Sequence, residues 1–198
     1  MRIAGFTALA LAASGAAHAQ AVERRYVEAP TGGMALPATP LAGEHDARAV
    51  TVNPGGLALI RGRELAVALD VDDSEIATSA GQGLGAFWAQ SIGGRFVPRF
   101  GLGLAVEWLR PPTGQLALAP ERAFRATLAL AAPLGRTAGA GIAWHHLRSD
   151  GALDGVDTID LGLSLRFGGH AAVGAVVRDL ATRDLAGAPV QRRYEAEL

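Results

Sequence analysis

His145 and His146 are the first residues to weigh for chemistry, because neutral imidazole binds zinc and carries protons near neutral pH. They are neighbours in "AGAGIAWHHLR", and neighbours on a strand point to opposite faces, so they cannot share one metal. Ordinary surface or rim histidines fit both. Asp154 and Asp157 in "LDGVD" lack the spacing of a calcium loop and read as a solvated outer loop. The pair Asp72-Asp73 reads as turn residues. Gly81-x-Gly83-x-Gly85 has neither the following helix nor the spacing of a dinucleotide loop. Cysteine is absent, which excludes disulfides, thiolate catalysis, a zinc–thiolate site and a lipoprotein anchor. Lysine is absent as well, so neither a Schiff base, a phosphate-loop lysine nor a Ser–Lys pair can form here. A net charge of −1 gives no electrostatic reason to expect nucleic acid. These residues point to no catalysis, no metal and no cofactor.

A different set is better placed. Glu107, Arg125, Asp160, Arg166 and Arg178 each stand opposite an apolar stripe on a segment of alternating residues. In "FGLGLAVEWLR" the large residues Phe100, Leu102, Leu104, Val106 and Trp108 alternate with Gly101, Gly103, Ala105 and Glu107. That is the period of a strand with one greasy and one nearly bare face. The same alternation predicts eight strands, over Glu64–Asp72, Gly83–Gln90, Arg99–Leu109, Arg122–Ala132, Ala138–Arg148, Asp157–Phe167, Ala171–Asp179 and Arg193–Leu198. The last is short.

Two patterns decide what the stripe faces. Long links follow the first, third, fifth and seventh strands (Asp73–Gln82, Arg110–Glu121, Ser149–Val156, Leu180–Arg192). Shorter ones follow the second, fourth and sixth (Ser91–Pro98, Pro133–Thr137, Gly168–His170). Outer-membrane barrels alternate long outer loops with tight periplasmic turns, whereas Greek-key sandwiches have no reason to keep that order. Phe100 and Trp108 share a face eight residues apart, which on a tilted strand is about 20 Å of height, close to the roughly 25 Å apolar band of such barrels. Aromatic rings near both water interfaces suit a lipid-facing surface. A charge at the middle of that surface would cost about 2–4 kcal/mol, which drives the five charged residues to the interior. There some pairs simply neutralise each other, a role that outweighs substrate binding.

The N-terminus supplies the compartment. "MRIAGFTALALAASGAAHAQ" has Arg2, an apolar run and Ala17-His18-Ala19, the pattern of an export signal cut after Ala19. Residues 20–63 form a Pro/Gly-rich segment without sustained periodicity, in which turns are expected rather than helix or sheet. Asn53-Pro54-Gly55-Gly56-Leu57 is its strongest turn signal, since Asn and Gly accept positive φ and Pro fixes its own. On physics alone it reads as an ordinary loop.

The export signal, this segment, "VNPGGLALIRGRELAVAL" and the strands that follow together resemble outer-membrane transport proteins of FadL and PorV type. The turn motif of that family is matched by Asn53, Pro54, Gly55, Gly56 and Leu57. The resemblance implies that residues 20–57 form a hatch inside the lumen. The chain is far shorter than a fourteen-stranded member of that family. It is also similar to barrel-like leaders of signal peptide peptidase A-like proteins, whose Ser–Lys machinery would have to lie downstream. The expected fold is thus an all-β, antiparallel up-and-down transmembrane β-barrel of about eight strands over residues 64–198, incomplete at its C-terminus. The expected function is non-catalytic transport, binding or anchoring of an apolar ligand or secreted protein, with outer-membrane lipid as the surrounding partner. A soluble periplasmic β-sandwich that binds a partner is the competing class.

Overall fold

The computed structural model describes residues 31–34, 36, 39–71, 82–93, 98–110, 122–168, 170–181 and 192–198. The expected export signal over residues 1–19 lies outside them, as does most of three long links and of the short link after β2. Strands form where apolar residues alternate: β1 (Arg63–Asp70), β2 (Gln82–Ile92), β3 (Phe100–Arg110), β4 (Ala123–Pro133), β5 (Ala138–Ser149), β6 (Asp157–Phe167), β7 (Ala171–Arg178) and β8 (Arg193–Glu197). All eight lie antiparallel in one sheet in the order of the sequence, an up-and-down meander. Their bounds fall within two residues of those expected from alternation. The short link after β4 closes tightly, with Leu134 N–H donating to Ala138 O at 2.8 Å and Gly135 at a φ of 98°.

One expected feature is not made. The sheet is open, with β1 and β8 at its two edges, and does not close into a barrel. Strand alternation fixes which face each side chain takes, but closure depends on what meets the edges, which period-two patterning does not encode.

The sheet curls around the N-terminal segment. Here the structure corrects the expectation of turns alone. A one-turn helix, α1 (Ala49–Val52), runs into a 3-10 helix over Pro54–Leu59, and both are almost wholly buried. Asn53 joins them. Its side-chain oxygen accepts from Gly55 N–H at 3.1 Å, while its amide donates to Leu41 O at 2.7 Å and Leu163 O at 3.0 Å. Pro54 follows at the first helical position, where a missing N–H costs nothing. The cap lets the main chain turn helical in a stretch too short and too Gly-rich to do so alone.

That 3-10 helix touches every strand from β2 to β6. Six residues of 3-10 helix are about 12 Å long, whereas five flat strands would span about 19 Å at their usual spacing. Contact with all five places this short element over the middle of the sheet. The sheet's covered face makes room with small residues. A Cβ on Gly101 would sit 2.5 Å from Leu57 O, and one on Gly162 would meet Asn53 Oδ1 and lie 2.7 Å from Pro54 Cδ. The buried apolar core lies in this interface: Val50, Leu57, Ala58 and Ile60 of the segment against Phe87, Ala89, Ala105, Ala129 and Ala143 of the sheet.

Candidate functional site

The covered face carries a belt of buried polar and charged side chains that crosses the sheet from β3 to β8. It follows from register. Glu107 on β3 lies directly opposite Arg125 on β4, and Thr127 on β4 lies opposite His145 on β5. Arg125 holds Glu107 in a 2.6 Å ion pair, with neither side chain more than 4% exposed. Thr127 Oγ1 and His145 Nδ1 are 2.8 Å apart. His145 Nε2 lies 3.2 Å from Asp160 Oδ2 on β6. Arg178 on β7 donates to Asp160 Oδ2 at 2.9 Å and to Glu195 Oε1 on β8 at 2.9 Å. Charge alternates along this belt, so each guanidinium is flanked by carboxylate. That is the condition under which buried charge is tolerated.

The belt grips the N-terminal segment by its main chain. Arg125 donates to Thr31 O at 2.9 Å, and Met34 N–H donates to Glu107 Oε1 at 3.1 Å. Arg178 donates to Thr51 O at 3.1 Å and to Val52 O at 2.8 Å. These carbonyls belong to α1, whose C-terminal groups have no helical partners of their own. Arg166, on the same face but apart from the belt, donates to Gly43 O at 2.9 Å. Glu197 accepts from Leu41 N–H at 2.5 Å and from Ala42 N–H at 3.3 Å.

Two titratable groups outside the strands complete the interface. His45 Nε2 lies 2.9 Å from Ser164 Oγ. Burial, reinforced by the positive charge of Arg166, lowers the His45 pKa to about 4, so the ring is neutral at physiological pH. Asp179 accepts from Thr31 Oγ1 at 2.8 Å at the opposite end of the segment. Its carboxyl is held above the ordinary aspartate value, chiefly by burial and further by Asp160, while the Thr31 bond opposes the shift.

Of the residues singled out from sequence, Glu107, Arg125, Asp160 and Arg178 come together in the belt, and Arg166 stands beside the segment at Gly43. Asn53 to Leu57 is not an ordinary loop but a capped 3-10 turn that is buried throughout. His145 is corrected too. It is no surface or rim histidine but a fully buried member of the belt, because its neighbours Ala143 and Leu147 on that face are buried with it. His146 does face outward, bonded to Asp157 at 2.9 Å and stacked on Trp144. Glu195 and Glu197 also went unrecognised, although their alternation with Tyr194 and Ala196 already placed them on the charged side. Asp154 accepts from Ser149 N–H at 3.2 Å in an exposed turn. Asp72, Asp73 and Gly81 lie outside the described residues. Among the described residues, no three His, Asp or Glu side chains group so as to hold a metal ion.

No family model, curated protein or solved structure matches this chain. Its class is given by the fold: an all-β chain of eight antiparallel up-and-down strands, with an N-terminal segment held across one face by a buried ionic belt.

Proposed function

We propose that this chain is a non-catalytic outer-membrane protein that crosses the membrane with its β-strands, whose N-terminal segment serves as a hatch, and whose task is passage, binding or anchoring of an apolar or secreted ligand. The observation that carries the reading is the inverted polarity of the sheet. Its uncovered face presents Leu65, Val67, Leu69, Trp108, Phe167 and Tyr194, each more than half exposed, together with Leu104, Leu130 and Ile142. Its covered face buries the charges. A water-soluble sheet does the reverse, and monomeric soluble proteins rarely expose apolar patches beyond a few hundred Å². Among the described residues, the charged or imidazole side chains that point outward from the strands, Arg63, His146, Arg148 and Asp157, stand within the first residue or last four of their strands. Ends are where strands meet the headgroups.

Lipid around the uncovered face would account for this distribution, with Trp108 and Phe124 in edge contact at 5.4 Å near one end. A periplasmic sandwich would need a second sheet to cover an apolar face, yet the apolar face here is the bare one. The belt charges are engaged with one another and with main-chain groups, which suits holding a hatch better than reacting with a substrate. The test is fractionation of cells expressing the full chain. The expected result is retention in the membrane after alkaline extraction, with faster gel migration before boiling than after. A protein washed off by alkali, with migration indifferent to boiling, would sink the reading.

A further inference from the structure

We propose that a proton on His45 releases one part of the hatch, residues 39–47, from β6, β7 and β8 while the strands stay folded. The regulation so described rests on the hatch reading above. This stretch, which leads into α1, is pinned to all three strands. Glu197 on β8 accepts from Leu41 and Ala42 N–H, and Arg166 on β6 donates to Gly43 O. On β7 a Cβ at Gly174 would collide with Leu41 O, so the main chains lie directly on one another.

The ring of His45 wedges the stretch between the sheet and the 3-10 helix. A Cβ on Gly56 would sit 2.5 Å from the ring's Cγ and Cδ2, so the missing side chain there is what admits it. Nε2 lies 2.9 Å from Ser164 Oγ. Nδ1 is shut off from solvent and has no hydrogen-bond partner among the described residues. A neutral ring suits that setting, with its one N–H on Nε2 facing Ser164 and a bare lone pair on Nδ1. A second proton must go to Nδ1, where it becomes a buried donor without an acceptor.

The charge it brings is badly placed as well. Arg166 faces the ring from β6 and Asp46 from within the stretch itself, while Ser164 and Gly56 carry no charge. Asp46 is already engaged by Arg48 at 2.7 Å. A protonated ring thus repels the guanidinium that pins Gly43 beside it. Burial first, then Arg166, lowers the ring's pKa to about 4, and a ring lifted into water returns to about 6.5. The lifted form takes up the proton first as pH falls, so its population rises between those values. The far end of the segment has no such release. Thr31 Oγ1 donates to Asp179, whose carboxyl is held above the ordinary range, and a protonated carboxyl still accepts.

The chain contains no cysteine, so one introduced thiol is read without background. Ala42 is buried under this stretch. Ala42→Cys, in the full chain in outer membranes, would be reacted with a pyridyl disulfide, which attacks thiols even in acid. Asp150→Cys, at an exposed position, supplies the intrinsic rate at each pH. The ratio of the two rates should rise on the order of 70-fold from about pH 7.5 to about pH 4.5, following the difference between 6.5 and about 4. Adding His45→Gln, whose amide still reaches Ser164 but takes no proton, should flatten the rise. Adding Glu197→Gln should leave it in place. A flat ratio in Ala42→Cys, a rise that survives His45→Gln, or one that disappears with Glu197→Gln overturns the proposal. Tryptophan fluorescence should stay constant over the range, and a loss that tracks the labelling would mean general unfolding and overturn it too. A rise kept by a protein that alkali washes from the membrane would remove the hatch reading while leaving the proton-driven release standing.

Discussion

Replacing Arg125 by methionine isolates the energetics of the belt at the place where it is driest. Glu107 is fully buried, and without Arg125 its carboxylate keeps, among the described residues, only the 3.1 Å bond from Met34 N–H. Breaking a buried pair by removing one partner costs about 3–5 kcal/mol, because the other charge is left without compensation. The Thr31 carbonyl loses its donor as well, adding about 1 kcal/mol. Glu107→Met should cost about 3–5 kcal/mol for the same reason, with the guanidinium now stranded. The double variant removes both charges and keeps comparable side-chain volume. Its cost should be only about 2–3 kcal/mol, the worth of two unsatisfied main-chain groups in the segment. The assay is urea unfolding in detergent, followed by the fluorescence of Trp88, Trp108 and Trp144. A double variant that costs as much as the two single variants summed would refute the argument, since independent sites add and coupled ones do not. An Arg125→Met protein within about 0.5 kcal/mol of the parent would refute it equally, as only surface changes are that mild.

Two further outcomes concern the seat of the N-terminal segment. Gly162→Ala directs a methyl group at Asn53 Oδ1 and, at 2.7 Å, at Pro54 Cδ. Overpacking of this kind costs about 1–3 kcal/mol, so the expected result is faster proteolysis within residues 39–60 in the folded protein, and protection equal to the parent's would count against the seating described. The second outcome is a pH dependence from His45. Its folded pKa of about 4 lies below the ordinary 6.5, so the unfolded chain binds the proton first as pH falls. The stability it contributes is complete above about pH 6.5 and is lost progressively down to about pH 4, on the order of 3 kcal/mol in all. Arg166, Asp46 and Ser164 face the ring, and Asp179, raised instead of lowered, has the opposite slope. The difference in stability between the parent and His45→Gln should therefore change between pH 6.5 and 4, and a constant difference would show that the ring is not held neutral.

What could be read from the chain alone was set by local geometry. Side chains alternate across a strand whatever the strand packs against, so Phe100 to Trp108 and Ile159 to Phe167 announced both their strands and the side on which Glu107, Asp160 and Arg166 would lie. The same rule places His145 on the face opposite Ile142 and Trp144, but that this face is covered, and His145 buried, depends on the N-terminal segment lying across it. Which charges meet was not legible, because it depends on register: Glu107 faces Arg125 only since β3 and β4 pair as they do, and Arg178 reaches both Asp160 and Glu195 only because β6, β7 and β8 are neighbours. The helical turns around Asn53 were hidden for a related reason. Their partners, from Gly101 of the covered face to Leu163, lie about 45 to 110 residues further along the chain, and a short Gly-rich stretch has no propensity of its own to turn helical. Tertiary structure alone decided that the segment lies inside the curve of the sheet, and that β1 and β8 remain its edges.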